Sequence, residues 1–166
     1  MRNILQDWKA NKGNTKGRLI MLCFRIANLA GINLWVRILL IPYTIFYTLF
    51  VQWVLGIEIQ RGTSIGKNCI LYHGQALVIN SATVIGENCT IRHSTTIGSK
   101  KMADGTDSNC PVIGNNVDIG TQVCIIGDIS IGNNVMIGAG SVVVKSIPDN
   151  SKVVGNPARV LGASSE

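Results

Sequence analysis

The chain contains two histidines, His73 and His93. An imidazole titrates near neutrality, so it suits the task of taking a proton from a hydroxyl as that oxygen attacks an electrophile. Each histidine sits two residues after an aliphatic, Leu71 and Ile91, and the pair is twenty residues apart. Their matching local positions point to a repeating scaffold that places them on one face.

That scaffold is written in a six-residue ladder. Ile113, Ile119, Ile125, Ile131, Ile137 and Val143 fall every sixth residue, and Gly114, Gly120, Gly132 and Gly138 each follow one of them. Four residues after each aliphatic comes a second inward-sized residue: Val117, Val123, Ile129, Val135, Ser141. A period of six is neither that of an amphipathic helix nor that of a two-faced strand. It fits a triangular solenoid with three short strands per turn, one inward aliphatic per side and small residues at the bends. Three hexads per coil would stack the two histidines in successive coils, roughly 5 Å apart by strand spacing.

The ladder has two breaks. Ile59, Ile65 and Leu71 form one frame, and Ile79, Ile85, Ile91 and Ile97 form another. The slip of two residues between them falls at Tyr72-His73-Gly74-Gln75-Ala76, around the first histidine. The second break, between Ile97 and Ile113, holds Lys100–Asp107 and reads as an extruded loop. Interruptions of a regular scaffold are where binding and catalysis concentrate.

At 166 residues the chain is one domain with a modest N-terminal appendage. Its five cysteines include no CxxC pair, which argues against a zinc ribbon or a disulfide framework. They are expected to be reduced, mostly buried fillers in a cytosolic protein. Residues 1–56 hold seven basic residues against Asp7 alone, whereas residues 57–166 hold eight of each sign. No nucleic-acid module accompanies the positive excess, so nucleic acid is not an expected partner. An acidic membrane surface or an anionic substrate suits it better.

From Ile38 to Ile57 the chain runs twenty residues without a charge. Pro42 and the polar row Thr44, Thr48 and Gln52 argue against a simple span. Three readings stay open for this run: helices packed on the solenoid or on a neighbouring subunit, interfacial membrane attachment, or a true span. The spacing predicts a basic helix over 2–10, a second from Lys16 to Ala30 stopped by Gly31, and helix over 34–55 broken near Pro42. Short strands are expected from Ile57 to Val144. Ile147–Asn150 would turn the chain out of the last coil, Val153–Val160 would run back along it, and Gly162–Glu166 would fray. Three segments follow: a helical, basic and apolar 1–56, a β-helix over 57–146, and a C-terminal extension over 147–166 that packs on the last coils.

The ladder, the segment Ile137-Gly138-Ala139-Gly140-Ser141-Val142-Val143 and the ending Val153-Val154-Gly155-Asn156-Pro157-Ala158-Arg159-Val160 resemble hexapeptide-repeat acyltransferases. The resemblance covers about residues 16–160. It implies an all-β solenoid, a left-handed parallel β-helix with an extruded loop and a short helical N-terminal segment. It also implies a homotrimer and acetyl-CoA as co-substrate, with no metal. The handedness comes from the family, since parallel crossovers are otherwise right-handed.

Gly56–Ile59 followed by Leu71–Gly74 is similar to serine acetyltransferases, where an acid-assisted histidine is the base. Those enzymes carry an Arg-His pair before the proline that closes the loop, where this chain has Asn109 and Cys110 ahead of Pro111. The short N-terminus, His73, Arg92-His93 and Asn109-Cys110-Pro111 look closer to colanic-acid-type polysaccharide O-acetyltransferases. The resemblance thus implies His73 as base, Glu58 as its orienting acid and His93 as either positioner of the acceptor or the base itself. Arg92 and Asn109 are the implied acceptor contacts. Thr121, Ala139, Gly140 and Ser141 are implied for the pantetheine arm, with Lys145, Lys152 and Arg159 for the coenzyme phosphates. The expected reaction is acetyl transfer to a sugar hydroxyl of an exopolysaccharide, capsule or colanic-acid-type intermediate, in the cytoplasm or at the inner face of the membrane. The alternatives are serine O-acetylation on a small hydroxyl acceptor and an inactive structural solenoid. A solenoid metalloenzyme would need three histidines per site, and this chain has two.

Overall fold

The computed structural model describes residues 3–163 and consists of five stacked triangular coils with a helical cap at their N-terminal end. The first coil is β1 (Ile57–Ile59), β2 (Ser64–Ile65) and β3 (Ile70–Tyr72). The second is β4 (Leu77–Ile79), β5 (Val84–Ile85) and β6 (Thr90–Arg92), and the third is β7 (Thr96–Gly98), β8 (Val112–Ile113) and β9 (Asp118–Ile119). The fourth is β10 (Cys124–Ile126), β11 (Ser130–Ile131) and β12 (Met136–Ile137). The fifth holds β13 (Val142–Val143) and β14 (Ser151–Gly155), and β15 (Ala158–Ala163) returns against β14.

Strands stack in parallel into three faces: β1-β4-β7-β10-β13, β2-β5-β8-β11 and β3-β6-β9-β12-β14. Every ladder aliphatic from Ile59 to Val143 is buried, because each short strand turns one side chain into the triangle. Register shows how the irregularities are absorbed. Leu71 lies on Ile91, so the first coil takes two extra residues around His73, and Ile85 lies on Ile113 with the whole loop extruded between β7 and β8. That loop is exposed and is pinched at its base by a Lys101–Asp107 bridge.

One corner is held by an amide ladder. Asn68, Asn88, Asn116, Asn134 and Asn150 all adopt positive φ, and each side-chain amide donates to the next at 2.9–3.1 Å. Asparagine tolerates that backbone region better than most residues and ties the coils together there.

The ends differ from the sequence expectations. Residues 4–13 form successive turns rather than a helix, and Arg2 lies outside the described residues. The reason is the open edge of the first coil, which needs hydrogen-bond partners. Asp7 accepts from the Cys69 amide at 2.9 Å, Asn11 bonds the carbonyl of Cys69 and the amide of Leu71, and Asn14 donates to the Leu71 carbonyl. A buried Arg25–Asp7 pair at 2.7 Å locks this cap, with Arg25 also donating to the carbonyls of Ile65 and Gly66.

α1 (Thr15–Asn28) and a 3₁₀ turn, Leu29–Gly31, match the expected second helix and its glycine stop. α2 (Leu34–Leu39), α3 (Ile41–Phe46) and a π-helical segment, Tyr47–Val54, fill the expected third region, with the break at Leu40 just before Pro42. At the other end the chain does not leave the coil at Ile147. Ile147 is buried and bridges Ile131, β14 stacks in parallel on β12, and only β15 runs back, antiparallel to β14. Residues 164–166, part of the tail expected to fray, lie outside the described residues.

Candidate active site

The β3-β6-β9-β12 face turns into the next coil through residues in the left-handed region, Ala76, Ser94, Gln122 and Gly140, and in the longer first corner His73 and Gly74 also have positive φ. Gln75, His93, Thr121 and Ala139 stand just before these turns, and the two extra residues of the first corner bring the His73 ring onto His93 in the same column. The backbone follows the column, with Ser94 donating to the Gln75 carbonyl, Gln122 to that of His93 and Gly140 to that of Thr121. The two extra residues of the first coil widen the corner, and His73 itself adopts φ +67°. A side chain in that region costs of order 1–2 kcal/mol, a strain that clusters at functional sites.

The histidine rings meet edge to face, with centroids 5.5 Å apart and planes at 83°. This is the stacking that equal spacing after Leu71 and Ile91 predicts. His73 is exposed, and its ring has no hydrogen-bond partner among the described residues. His93 is half-buried: its Nε2 lies 2.9 Å from the Thr121 hydroxyl, which is also 3.1 Å from the His93 carbonyl. Thr121 has one hydroxyl proton for two neighbours. Given to the carbonyl, it makes Nε2 the ring's donor and leaves a lone pair on Nδ1; given to Nε2, it puts the ring proton on Nδ1. Nδ1 is buried with no partner in either case.

The remaining sequence-predicted residues divide sharply. Ala139 and Gly140 are exposed at the end of the same column, and a Cβ added at Gly140 would meet nothing within 4 Å. The backbone there is open to an extended ligand. Ser141, one residue on, is turned inward: its hydroxyl donates to the Gly138 carbonyl at 2.6 Å and accepts from the Gly155 amide. Glu58 is exposed on β1, directly beneath Val78, and no hydrogen bond joins it to His73. Arg92 is paired with Asp118, donates to the Ile119 carbonyl at 3.0 Å and lies over the Tyr72 ring. Asn109 donates to Asp128 at 3.1 Å, at the corner from which the loop leaves. Lys145, Lys152 and Arg159 are exposed on the last coil and its return strand, with no ion-pair partner among the described residues.

Two links were not read from the sequence. Asp118 engages Arg92, and the Thr121 side chain, expected at the pantetheine arm, reaches His93. The signal for both lay in the loop: once it is extruded whole, Thr90 stacks on Asp118 and His93 on Thr121. Three cysteines (Cys69, Cys89, Cys110) are buried, Cys23 and Cys124 are half-buried, and all are free. Burial raises the pKa of Cys69, Cys89 and Cys124. Among the described residues, no three His, Cys, Asp or Glu side chains cluster as metal ligands, and no helix is long and apolar enough to cross a membrane.

No family model matches the chain. The colanic acid biosynthesis acetyltransferase named WcaB of Escherichia coli K12 is 42% identical over 166 residues, covering 95% of this chain and 98% of that protein. Serine acetyltransferase 4 of Arabidopsis thaliana is 37% identical over 112 residues, 68% of this chain but 31% of that protein. The structure of Brucella abortus serine acetyltransferase in complex with coenzyme A superposes with a TM-score of 0.81 at 26% identity, covering 98% of this chain and 67% of the other. The chain belongs to the hexapeptide-repeat acyltransferases, with their left-handed parallel β-helix.

Proposed function

We propose that this hexapeptide-repeat acyltransferase moves an acetyl group from acetyl-CoA to a sugar hydroxyl of an exopolysaccharide, capsule or colanic-acid-type intermediate. The observation that carries this reading is the single column His73–His93–Thr121–Ala139, which joins a pair of imidazoles to an open stretch of backbone. Similarity along nearly the whole length of a colanic acid biosynthesis acetyltransferase supports the acceptor class. A related structure holds coenzyme A on the same fold, and the bare surface at Gly140 leaves room for an extended arm.

In this mechanism His73 accepts the proton of the sugar hydroxyl, whose oxygen attacks the acetyl carbonyl carbon of the thioester. The C–S bond breaks, and the coenzyme leaves as a thiol, taking the proton that His73 had accepted. A backbone amide stabilises the negative charge that develops on the carbonyl oxygen. His93, held by Thr121, packs edge-on to the base and positions the acceptor. Glu58 serves His73 only if the side chains reorient when the site is assembled. The free cysteines are buried or half-buried, and burial holds the thiols of Cys69, Cys89 and Cys124 protonated, so none offers an activated nucleophile and transfer is direct.

The active unit is a homotrimer in the cytoplasm. Within one chain the histidine corner and the loop corner bound opposite edges of the β1-β4-β7-β10 face, which supports a site shared between chains, with Asn109 and the loop serving a neighbour's histidines. Against serine as acceptor stands the neutral Asn109, which is bonded to Asp128 and supplies no cationic grip for a carboxylate.

The test is thiol release from acetyl-CoA by wild type and His73→Ala, with extracted capsular glycan and L-serine as parallel acceptors. Turnover on glycan that falls about 10²- to 10⁴-fold in the variant is expected for loss of a general base. Turnover on serine, or on neither acceptor, would overturn the assignment.

A further inference from the structure

The helices between Leu34 and Val54 are nearly naked. Tyr47 and Val51 are buried against the solenoid and Tyr43 and Leu55 partly so, but large apolar side chains elsewhere on them face outward. Trp35 is 80% exposed, Leu39 78% and Trp53 71%, with Leu34, Ile38, Ile41, Ile45, Phe46, Leu49, Phe50 and Val54 also exposed. A soluble monomer rarely carries so large a contiguous apolar surface without using it. The chain breaks at Leu40, so these are short pieces arranged over the end of the solenoid. That suits a surface that lies in an interface rather than one that spans it.

Beside this surface runs a groove of about 780 Å³ whose lining changes character. It is built from the polar flank of the same helices, Thr44, Thr48 and Gln52, with Arg37, Gln60 and Arg61. Among the described residues, no acidic side chain lines it. Neither the Arg37 nor the Arg61 guanidinium has an ion-pair or hydrogen-bond partner among the described residues. The N-terminal third that supplies these helices is one-sided in charge: it carries Lys9, Lys12, Lys16, Arg18 and Arg37, and its one acid, Asp7, is taken by Arg25.

We infer that this surface docks on an anionic phospholipid bilayer, with the apolar helices in the headgroup layer and a lipid phosphate held in the groove by Arg37 and Arg61. Charge complementarity selects this occupant. A second copy meeting the face by two-fold symmetry would bring the same unpaired cations together with no carboxylate to answer them. An anionic leaflet supplies phosphates, which guanidinium groups bind in bidentate fashion. Tryptophans suit the headgroup level, where one side of the ring is wet and the other apolar. The inference goes beyond the proposed acyl transfer and does not depend on it.

The test is flotation of the purified full-length protein with phosphatidylcholine vesicles and with vesicles that also contain phosphatidylglycerol. Wild type should float with the anionic vesicles and much less with the neutral ones, and its tryptophan emission should shift to the blue. The double variant Arg37→Gln, Arg61→Gln should bind about 30-fold more weakly, taking about 1 kcal/mol per cation near an anionic surface. Trp35→Ser with Leu39→Ser should abolish flotation while thermal unfolding and acetyl transfer to a soluble acceptor stay unchanged. Failure of wild type to float, or equal binding to neutral vesicles, would overturn the proposal. So would a Trp35→Ser, Leu39→Ser variant that changes oligomeric state instead of lipid binding, since the face would then be covered by another copy. Loss of acetyl transfer with flotation intact would count only against the proposed reaction.

Discussion

Replacing Thr121 with Val keeps the side chain's shape and removes one hydroxyl. That hydroxyl sits 2.9 Å from His93 Nε2 and 3.1 Å from the His93 carbonyl, and among the described residues it is the only group hydrogen-bonded to the ring. The carbonyl keeps a second donor, the Gln122 amide at 3.2 Å, so the backbone column survives the substitution. The ring does not, because its Nδ1 is already buried without a partner and Nε2 would join it. A net hydrogen bond is worth about 0.5–1.5 kcal/mol, and leaving a polar atom unsatisfied costs about 1–3 kcal/mol. If His93 must hold its place beside His73 in the transition state, a loss of about 1–3 kcal/mol lowers kcat by about 5- to 150-fold. The thiol-release assay reads this directly, with KM for acetyl-CoA little changed, because Val leaves the backbone at position 121 intact. Thr121→Ser should restore most of the rate. An unchanged kcat in Thr121→Val would refute the positioning role. A raised KM with normal kcat would mean that the hydroxyl contacts the donor instead.

Two further outcomes follow from the burial of charged and thiol groups. Asp7→Ala leaves Arg25 buried without its carboxylate and the Cys69 amide without its acceptor, and should lower unfolding free energy by about 3–5 kcal/mol, read by thermal melts. A loss below 1 kcal/mol would mean that the N-terminal cap detaches without disturbing the first coil. Burial raises the pKa of Cys69 and Cys89, so at neutral pH both stay protonated and should resist thiol-labelling reagents until the protein unfolds. Rapid labelling of either in the native state would contradict the packing of the first two coils.

Much of the scaffold was legible because the ladder's period is imposed by geometry. Every side of a triangular coil must turn one aliphatic inward, so Ile113 through Val143 announce the coils without reference to distant residues. The histidine pair was legible for the same reason, since equal distances from Leu71 and Ile91 become stacking once those two share a register. The ladder also placed Ser141 inward, and it was the family resemblance that set it against the pantetheine arm. Ser141 occupies an inward position and spends its hydroxyl on the chain, although it neighbours the exposed Gly140.

Local periodicity alone therefore determined the solenoid, its two interruptions and the shared face of His73 and His93. Tertiary structure decided which side chains those residues meet. Thr121 reaches His93, and Asp118 reaches Arg92, only because the loop between β7 and β8 leaves the coil entirely and lets the ladder close beneath it. The N-terminal segment shows the same limit. Its composition allows a helix, but the unpaired edge of β3 draws Asp7, Asn11 and Asn14 into hydrogen bonds that a helix could not supply. An open strand edge is a property of the assembled coil, and no window of sequence contains it.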